Sequence, residues 1–189
     1  PSLIPVVFGY IKDFRHTVTT GLKSASSLLF LAGKRKMEFK GSEYALLYGK
    51  EGGNLPAVSP AEAGRLEYAA LEATEGRLVR ASAVIENGGL AAALARMLMA
   101  GGKFGAQIDM NALGKLRADY ALFSESPGYV LEVSGRNAAK LKEIYEKYKI
   151  PLLQIGKTTA GRSFTGISGD KKVFDISLAE LKRYWHGSK

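Results

Sequence analysis

The sequence has 189 residues, of which 46% are hydrophobic and 24% charged, with a formal net charge of +9. Such a chain can bury the core of one domain, or of one domain with an extension, and no apolar run reaches the roughly 18 residues of a membrane span. The absence of cysteine excludes disulfides, thiolate metal sites and cysteine nucleophiles, and fits a cytoplasmic protein.

The positive charge is compatible with nucleic acid, an anionic ligand or a solubilising surface. Its distribution does not favour nucleic acid. Residues 34–36 form only a short basic run, and the lysines of residues 137–148 are mixed with glutamates, as on a solvated helix face. No basic strand is interleaved with aromatic residues for stacking on bases. We therefore expect neither a nucleic-acid partner nor a membrane.

Four elements are predicted before residue 76. They are strands at residues 3–11 and 25–32, a short helix at residues 41–48 and a longer helix at residues 60–75, with a loop at residues 49–60. Ser42 is a typical N-cap of the short helix, since its hydroxyl can accept an N–H that has no partner within the helix. Glu43 in the first turn suits the helix dipole.

The central unit, residues 78–110, has the pattern strand, paired glycines, helix, paired glycines, strand. The strands are predicted at residues 79–85 and 104–110, and the helix at residues 90–99. A strand that leads through Gly88 and Gly89 into a helix leaves backbone N–H groups at the positive helix end, where a phosphate can bind. Alternatively, the glycines only make a tight turn and let the helix approach the sheet. Spacing alone favours this second interpretation, because a bare glycine pair is a weak signal.

The remaining sequence continues the mixture of helices and strands. The predicted elements are a short helix with Asn111 as its N-cap, a helical turn at residues 117–123, a strand at residues 129–133, an amphipathic helix at residues 137–148, strands at residues 151–155, 162–167 and 171–176, and a last helix from its cap Ser177 through Trp185. Because helices and strands do not alternate strictly, we predict an α+β sandwich with a mixed sheet.

The residues alone identify no reaction. The histidines, His16 and His186, lie near opposite ends of the chain, and no acidic cluster has the spacing of metal ligands. A serine hydrolase is not supported, since no G-x-S-x-G motif occurs. The GKT at residues 156–158 resembles the end of a P-loop, but Pro151 stands where the loop needs its first glycine. The prediction stops at an α+β domain with one candidate anion-binding turn and no metal site.

Five motifs occur in order along almost the whole chain. They are GSEY at residues 41–44, GLAAALARMLMAGGKFGAQID at 89–109, LFSESPGYVLEV at 122–133, LLQIGKTT at 152–159 and DISLAELKRYWHGS at 175–188. Together they resemble the formylglycinamide ribonucleotide synthetase family, also called phosphoribosylformylglycinamidine synthase. No single motif is decisive, but five collinear motifs with sensible gaps are specific.

The resemblance implies one C-type domain of the aminoimidazole ribonucleotide synthetase-like superfamily, a three-layer α+β sandwich. Residues 1–20 are then a strand or linker that enters from an N-type domain, and residues 21–189 are the C-type domain. The start at Pro1, without a signal peptide, fits a fragment or a processed chain.

The resemblance also implies an activity in purine biosynthesis, the ATP-dependent conversion of formylglycinamide ribonucleotide to its amidine. The ligands of ATP and magnesium belong mostly to the N-type domains, and ammonia comes from a glutaminase subunit or domain. The expected partners are these domains, the glutaminase and phosphorylated nucleotides. This chain alone is expected to be inactive.

The same resemblance places a site at the central turn, with one departure. The family's His-Asp-Val-Ser-Asp-Gly-Gly corresponds to residues 83–89, where the histidine and the following aspartate are absent and the second aspartate is Asn87. Any proton-transfer or metal role of those positions is lost, so no catalytic residue is expected. A phosphate-binding role of backbone N–H groups survives at Gly88, Gly89 and Leu90, with Asn87 as a hydrogen-bond partner.

Two residue pairs are candidates to support the ligand cleft. Ser42 and Glu43 are either a helix cap, which the capping preference favours, or part of the cleft rim. Ser124 and Glu125 are either a capped turn before a strand or a support of the substrate site. Three functions stay open: a domain of the ligase, another ATP-using member of the superfamily such as selenophosphate synthetase or thiamin-monophosphate kinase, and a non-catalytic binding or assembly module.

Overall fold

A seven-stranded mixed sheet organises the chain, for which the computed structural model describes residues 6–11, 13–49 and 53–187. The strands are β1 (Leu28–Ala32), β2 (Val79–Val84), β3 (Gly105–Asp109), β4 (Tyr129–Val133), β5 (Leu152–Thr159), β6 (Ser163–Ser168) and β7 (Lys171–Ser177). Their order is β2-β4-β1-β5-β3-β6-β7. Only β3 and β6 pair in parallel; the other neighbours are antiparallel.

Six α-helices accompany the sheet in the described ranges. They are α1 (Glu43–Leu47), α2 (Pro60–Glu75), α3 (Gly89–Gly101), α4 (Ala118–Phe123), α5 (Ala138–Lys147) and α6 (Leu178–Trp185). The predicted caps are present: Ser42 accepts a hydrogen bond from the Ala45 N–H, and Ser177 forms a reciprocal capping box with Glu180. Gly102 ends α3 with a φ of 67°. None of these helices has the length and apolarity needed to cross a membrane.

Helices cover both faces of the sheet. In β1, Leu29 and Leu31 point into the core beneath α3, α4 and α6, whereas Phe30 and Ala32 point into the core beneath α2 and α5. Both sets of side chains are almost completely buried, because successive side chains of a strand project to opposite faces. The predicted three-layer α+β sandwich is confirmed.

The prediction of a strand at residues 3–11 is wrong for the part that the structure describes. Residues 6–11 have no regular structure, and residues 3–5 lie outside the described ranges. The apolar pattern was present, but a strand also needs a neighbouring backbone to bond with. The chain reaches the sheet after this segment, where Thr19 forms a parallel bridge with Ala81 on the edge strand β2.

Asn111 is not the N-cap that the sequence suggested. It lies inside a 3₁₀ turn, Met110–Leu113, whose N-cap is Asp109; the Asp109 carboxylate accepts the Asn111 N–H at 2.9 Å. The Asn111 side chain instead accepts a hydrogen bond from the Ser168 hydroxyl at 3.0 Å. Asp and Asn are both good N-caps, and Asp109 has this role because β3 ends there and the turn begins at the next residue.

The GKT segment, residues 156–158, lies within strand β5. This agrees with the conclusion from the sequence that the segment is not a P-loop. β5 extends to Thr159, beyond the predicted end at residue 155, because its second half pairs with β3. Gly156 sits where a Cβ would collide with the Gln107 carbonyl oxygen. This glycine therefore serves strand packing rather than phosphate binding.

Candidate functional site

The N-termini of α1 and α3 converge on one carboxylate. Glu125 Oε1 accepts hydrogen bonds from the backbone N–H of Gly88, the N-cap of α3, and from that of Glu43, the first residue of α1, both at 2.9 Å. The Asn87 side-chain amide donates to Glu43 Oε1 at 3.3 Å. Residues predicted from three separate motifs are thus neighbours, and the Glu125 carboxylate occupies a position where two positive helix ends meet.

The paired glycines are required by backbone geometry. Gly88 has a φ of 80° and Gly89 a φ of 69°, in the left-handed region that favours glycine. A Cβ on Gly89 would lie 2.7 Å from the Phe123 carbonyl carbon and 2.7 Å from the Ser124 oxygen. The tight-turn interpretation is therefore correct about the close approach, but the neighbour is the end of α4 and not the sheet.

The three predicted phosphate donors differ in their present partners. The Gly88 N–H is bonded to Glu125, and the Gly89 N–H donates to the Glu86 carbonyl at 2.8 Å. Leu90 is the second residue of α3, where an α-helix offers no internal acceptor for the N–H, and its side chain is fully buried in the core. Any contribution of Leu90 to a ligand is therefore restricted to its backbone.

The two serines at the site are buried, with different surroundings. Ser42 is 1% exposed; its hydroxyl caps α1 and also donates to the Phe39 carbonyl at 2.6 Å. Ser124 is completely buried, and its hydroxyl has no hydrogen-bond partner among the described residues. Ser42 is thus the helix cap that the capping preference favoured. Ser124 is an exception to the rule that buried polar groups are hydrogen-bonded.

Two buried charged residues, Arg35 and Glu38, which the sequence did not distinguish, both form hydrogen bonds with the loop that carries Glu125. The Arg35 guanidinium donates to the Ser124 carbonyl at 3.2 Å and the Pro127 carbonyl at 3.1 Å. Glu38 is 5% exposed and accepts a hydrogen bond from the Ser126 hydroxyl at 2.8 Å. Burial lowers the pKa of Arg35 to about 10, and the Glu38 charge opposes this shift, so Arg35 is charged at neutral pH.

Nothing in the sequence distinguished Arg35 from its neighbours. It stands between Lys34 and Lys36 in the short basic run of residues 34–36. The structure buries the middle residue of this run and leaves Lys34 exposed. The consequence is that buried side chains hold residues 124–127 through three hydrogen bonds.

Stacked aromatic rings join α1 to α4 beside the site. The Tyr44 ring centroid lies 4.5 Å from that of Phe39 and 5.3 Å from that of Phe123, and Phe39 also stacks on Tyr120 at 4.1 Å. Burial raises the pKa of Tyr44, and the nearby Asp119 carboxylate contributes in the same direction. These contacts hold the N-terminus of α1 in place relative to α4 and the Glu125 loop.

The site offers no protein cage for a metal ion. No group of three or more His, Asp or Glu side chains is arranged for metal binding in the described ranges. At the turn, the carboxylates of Glu43 and Glu125 are both engaged in hydrogen bonds. The arrangement suits an anion held by backbone N–H groups better than a cation.

The fold and the turn define a class of protein: a three-layer α+β domain in which two helix N-termini meet at one glutamate carboxylate. The family described as "AIR synthase related protein, C-terminal domain" matches residues 26–168. This match covers most of the chain, and the chain belongs to that family.

Curated relatives match the chain over its length. It is 35% identical over 187 residues to "Phosphoribosylformylglycinamidine synthase subunit PurL" of Methanothrix thermoacetophila, which covers 98% of this chain and 24% of that protein. It is 32% identical over 190 residues to the same subunit of Alkaliphilus metalliredigens, covering 100% of this chain and 25% of that protein. The chain thus spans about a quarter of the length of these relatives.

Solved structures share the fold at low sequence identity. Thermotoga maritima PurL complexed with FGAR superposes with a TM-score of 0.76 and 17% identity, over 89% of this chain and 30% of that chain. A thiamine-monophosphate kinase from Stenotrophomonas maltophilia superposes less well, with a TM-score of 0.56 and 15% identity, over 79% of this chain and 52% of that chain. At these identities the likeness shows the fold alone.

Proposed function

We propose that this chain is the C-type domain of a phosphoribosylformylglycinamidine synthase, the ligase that converts formylglycinamide ribonucleotide to its amidine with ATP. The observation that carries the proposal is the match of 98% of the chain to one quarter of a PurL subunit at 35% identity. In this function the domain contributes to a ligand site and to assembly. The resemblance assigns most ligands of ATP and magnesium to N-type domains outside this chain.

The proposed role of the turn is to hold a phosphate group of a nucleotide ligand. Gly88, Gly89 and Leu90 provide backbone N–H groups at the positive end of α3, and the exposed Asn87 amide provides a side-chain donor. The Gly89 N–H, which now donates to the Glu86 carbonyl, exchanges that acceptor for the phosphate. A phosphate at Gly88 takes the place of the Glu125 carboxylate, which is the negative group there now. Ser42, Glu43, Ser124 and Glu125 support this cleft through the contacts between α1, the 124–127 loop and α3.

The chemistry of the ligase is assigned to other parts of the enzyme. ATP activates the amide oxygen of the substrate, and ammonia then replaces that oxygen at the carbon. The positions where the resemblance implies a histidine and two aspartates hold Ala83, Val84 and Asn87 here, so any proton-transfer role of those positions is lost. The chain has no cysteine for a glutaminase nucleophile, and ammonia therefore comes from a separate subunit or domain.

A second candidate is a binding or assembly module that keeps the fold without the catalysis. The absent histidine and aspartates at residues 83–87 favour it, because a module without catalysis has no need of them. Another ATP-using superfamily member is less well supported, since the relatives that match the chain at 35% and 32% identity are both PurL subunits.

A chimeric subunit tests the proposal. In the Methanothrix thermoacetophila PurL subunit, this chain replaces the segment that it matches, and formylglycinamide ribonucleotide-dependent ADP release is measured with ammonia and magnesium. Activity above that of the subunit with the segment deleted supports the ligase domain. A chimeric subunit that melts cooperatively but releases no ADP favours the assembly module. Calorimetric titration of the 189-residue chain with ADP, ATP and formylglycinamide ribonucleotide then shows whether this domain binds ligand unaided.

A further inference from the structure

Arg35 holds the backbone of the loop that carries Glu125 on both sides of that residue. Its Nη1 donates to the Ser124 carbonyl at 3.2 Å and its Nη2 to the Pro127 carbonyl at 3.1 Å. A guanidinium presents its donors in a planar fork, whereas a lysine ammonium is a single point of charge that does not bridge two carbonyls in this way. Arg35 therefore restrains the backbone before and after Glu125 at once.

Two glycines leave room for this arrangement. A Cβ on Gly128 would lie 2.8 Å from Arg35 Nη2 and 2.5 Å from the Ala32 carbonyl oxygen. A Cβ on Gly33, which has a φ of 94°, would lie 2.8 Å from the Pro127 carbonyl oxygen that accepts the Arg35 bond. The backbone around the bond between Arg35 and Pro127 is therefore packed as closely as glycine allows.

Glu38 adds a third bond to the same loop. This residue is buried, and its Oε2 accepts the Ser126 hydroxyl at 2.8 Å. Its Oε1 accepts the Ala57 N–H at 3.2 Å. Because both oxygens of the carboxylate are engaged, its orientation toward Ser126 is fixed.

Glu125 is the member of this loop whose side chain reaches two helix ends. Its Oε1 accepts the N–H groups of Gly88 and Glu43, each at 2.9 Å, at the start of α3 and of α1. A contact of about 3.6 Å is no longer a hydrogen bond, so a displacement of the loop by about 1 Å away from the turn breaks both bonds. The position of the loop backbone therefore decides whether this carboxylate occupies the turn.

We infer that Arg35 and Glu38 are positioning residues of the anion turn: by holding the loop, they place the Glu125 carboxylate against the N–H groups of α1 and α3. The consequence for phosphate rests on the proposed function, because the Gly88 N–H then binds either Glu125 or the ligand. A carboxylate held in place makes the ligand-competent form rarer, and the apparent dissociation constant rises in proportion. Arg35 thus lowers the affinity of the turn for phosphate without touching the ligand.

Amide hydrogen exchange of the 189-residue chain without ligand tests the placement. Arg35→Lys keeps the charge but not the fork, and Ser126→Ala removes the third loop bond. Each variant should speed exchange at the Gly88 and Glu43 N–H groups by at least about threefold, because the carboxylate protects them less. The Glu180 N–H, which Ser177 caps on α6, is the internal reference and should keep its rate.

Two results of the exchange experiment would overturn the inference. One is unchanged exchange at Gly88 and Glu43 in every variant that melts cooperatively. The other is an equal acceleration at Glu180, because a general loss of stability would then explain the effect.

The sign of the change in phosphate binding tests the consequence. Calorimetric titration of the Arg35→Lys chain with inorganic phosphate and with ADP should give dissociation constants about two- to fivefold lower than those of the unsubstituted chain. With Glu125→Ala also present, Arg35→Lys should have no further effect, because the competing carboxylate is gone. Arg80→Lys is the matched control, since the Arg80 guanidinium donates to the Ser27 hydroxyl instead, and it should bind like the unsubstituted chain.

A purely structural role of Arg35 predicts the opposite sign. Weaker binding by Arg35→Lys, with Glu125 present or replaced, would overturn the inference. Absence of phosphate and ADP binding in the unsubstituted chain and all variants would reject the proposed ligand role of the turn. The exchange rates, measured without ligand, decide the placement of Glu125 in that case as well.

Discussion

Replacing Glu125 by glutamine should strengthen the binding of a phosphorylated ligand. Glu125 Oε1 accepts the Gly88 and Glu43 N–H groups at 2.9 Å each, so the carboxylate occupies the position proposed for the phosphate. Glutamine has the same shape and can accept the same two bonds, but it carries no charge. The variant therefore separates the electrostatic effect of Glu125 from its role in packing.

The size of the effect follows from the distances. A phosphate at the Gly88 N–H leaves the displaced carboxylate within about 4–6 Å, where two unit charges repel by about 1 kcal/mol in water and about 4 kcal/mol at an effective dielectric constant of about 20. Glu125 is half-buried and the turn is open to water at Asn87, so we expect about 1–2 kcal/mol. This corresponds to roughly a 5- to 30-fold tighter dissociation constant. The neutral amide also binds N–H groups less strongly than a carboxylate and is easier to displace.

Calorimetric titration with ADP and with inorganic phosphate, each with and without magnesium, measures this change. Glu180→Gln is the matched control, because Glu180 also accepts an N–H group at a helix N-terminus, from Ser177 at 2.9 Å, but on α6. The control should bind like the unsubstituted chain. Unchanged or weaker binding by a folded Glu125→Gln chain would refute the placement of phosphate at Gly88. Loss of binding only with magnesium would show that the carboxylate holds the metal instead.

Three further predictions concern stability. Gly89→Ala should lower the free energy of unfolding in urea by about 2–4 kcal/mol, because a Cβ would lie 2.7 Å from backbone atoms. The control Gly49→Ala, at a φ of 60° with nothing within 4 Å, should lower it by about 1 kcal/mol. Equal losses would contradict the close approach at Gly89. Arg35→Met should cost about 1–3 kcal/mol by removing the guanidinium donors from the Ser124 and Pro127 carbonyls, and a loss below about 0.5 kcal/mol would contradict this. Burial raises the pKa of Tyr145, so above pH ~10 the tyrosine ionises first in the unfolded chain, and the free energy of unfolding falls by up to about 1.4 kcal/mol per pH unit. Tyr145→Phe should flatten this pH dependence, measured by urea unfolding at several pH values. The variant also removes a buried hydroxyl that has no hydrogen-bond partner in the described ranges.

The sequence predicted the elements well where local signals act alone. The helix at residues 60–75 has a proline at its first position and a glycine after its last, and the structure gives α2 these same bounds. β4 likewise coincides with the predicted strand at residues 129–133. Residues 3–11 show the limit, because hydrophobic periodicity identifies a segment that can be a strand but not the neighbour it needs.

The site was less predictable, because it depends on contacts between residues that are distant in sequence. The family resemblance selected Asn87, Gly88, Glu43 and Glu125, but only the three-dimensional arrangement shows that one carboxylate oxygen joins the two helix ends. Nothing in the local pattern separates Arg35 from the adjacent lysines. A short basic run can lie wholly on the surface or place one member inside, and the difference is decided by the Ser124 and Pro127 carbonyls that need donors.

A phosphate site made of backbone N–H groups, as proposed here, needs no particular side chain at residues 83–87. The positive φ values of Gly88 and Gly89 and the approach of α4 to Gly89 define the geometry of the turn. If the Glu125→Gln chain binds ADP more tightly while the chimeric subunit remains inactive, phosphate binding and catalysis are separable in this domain, and the assembly module becomes the better description.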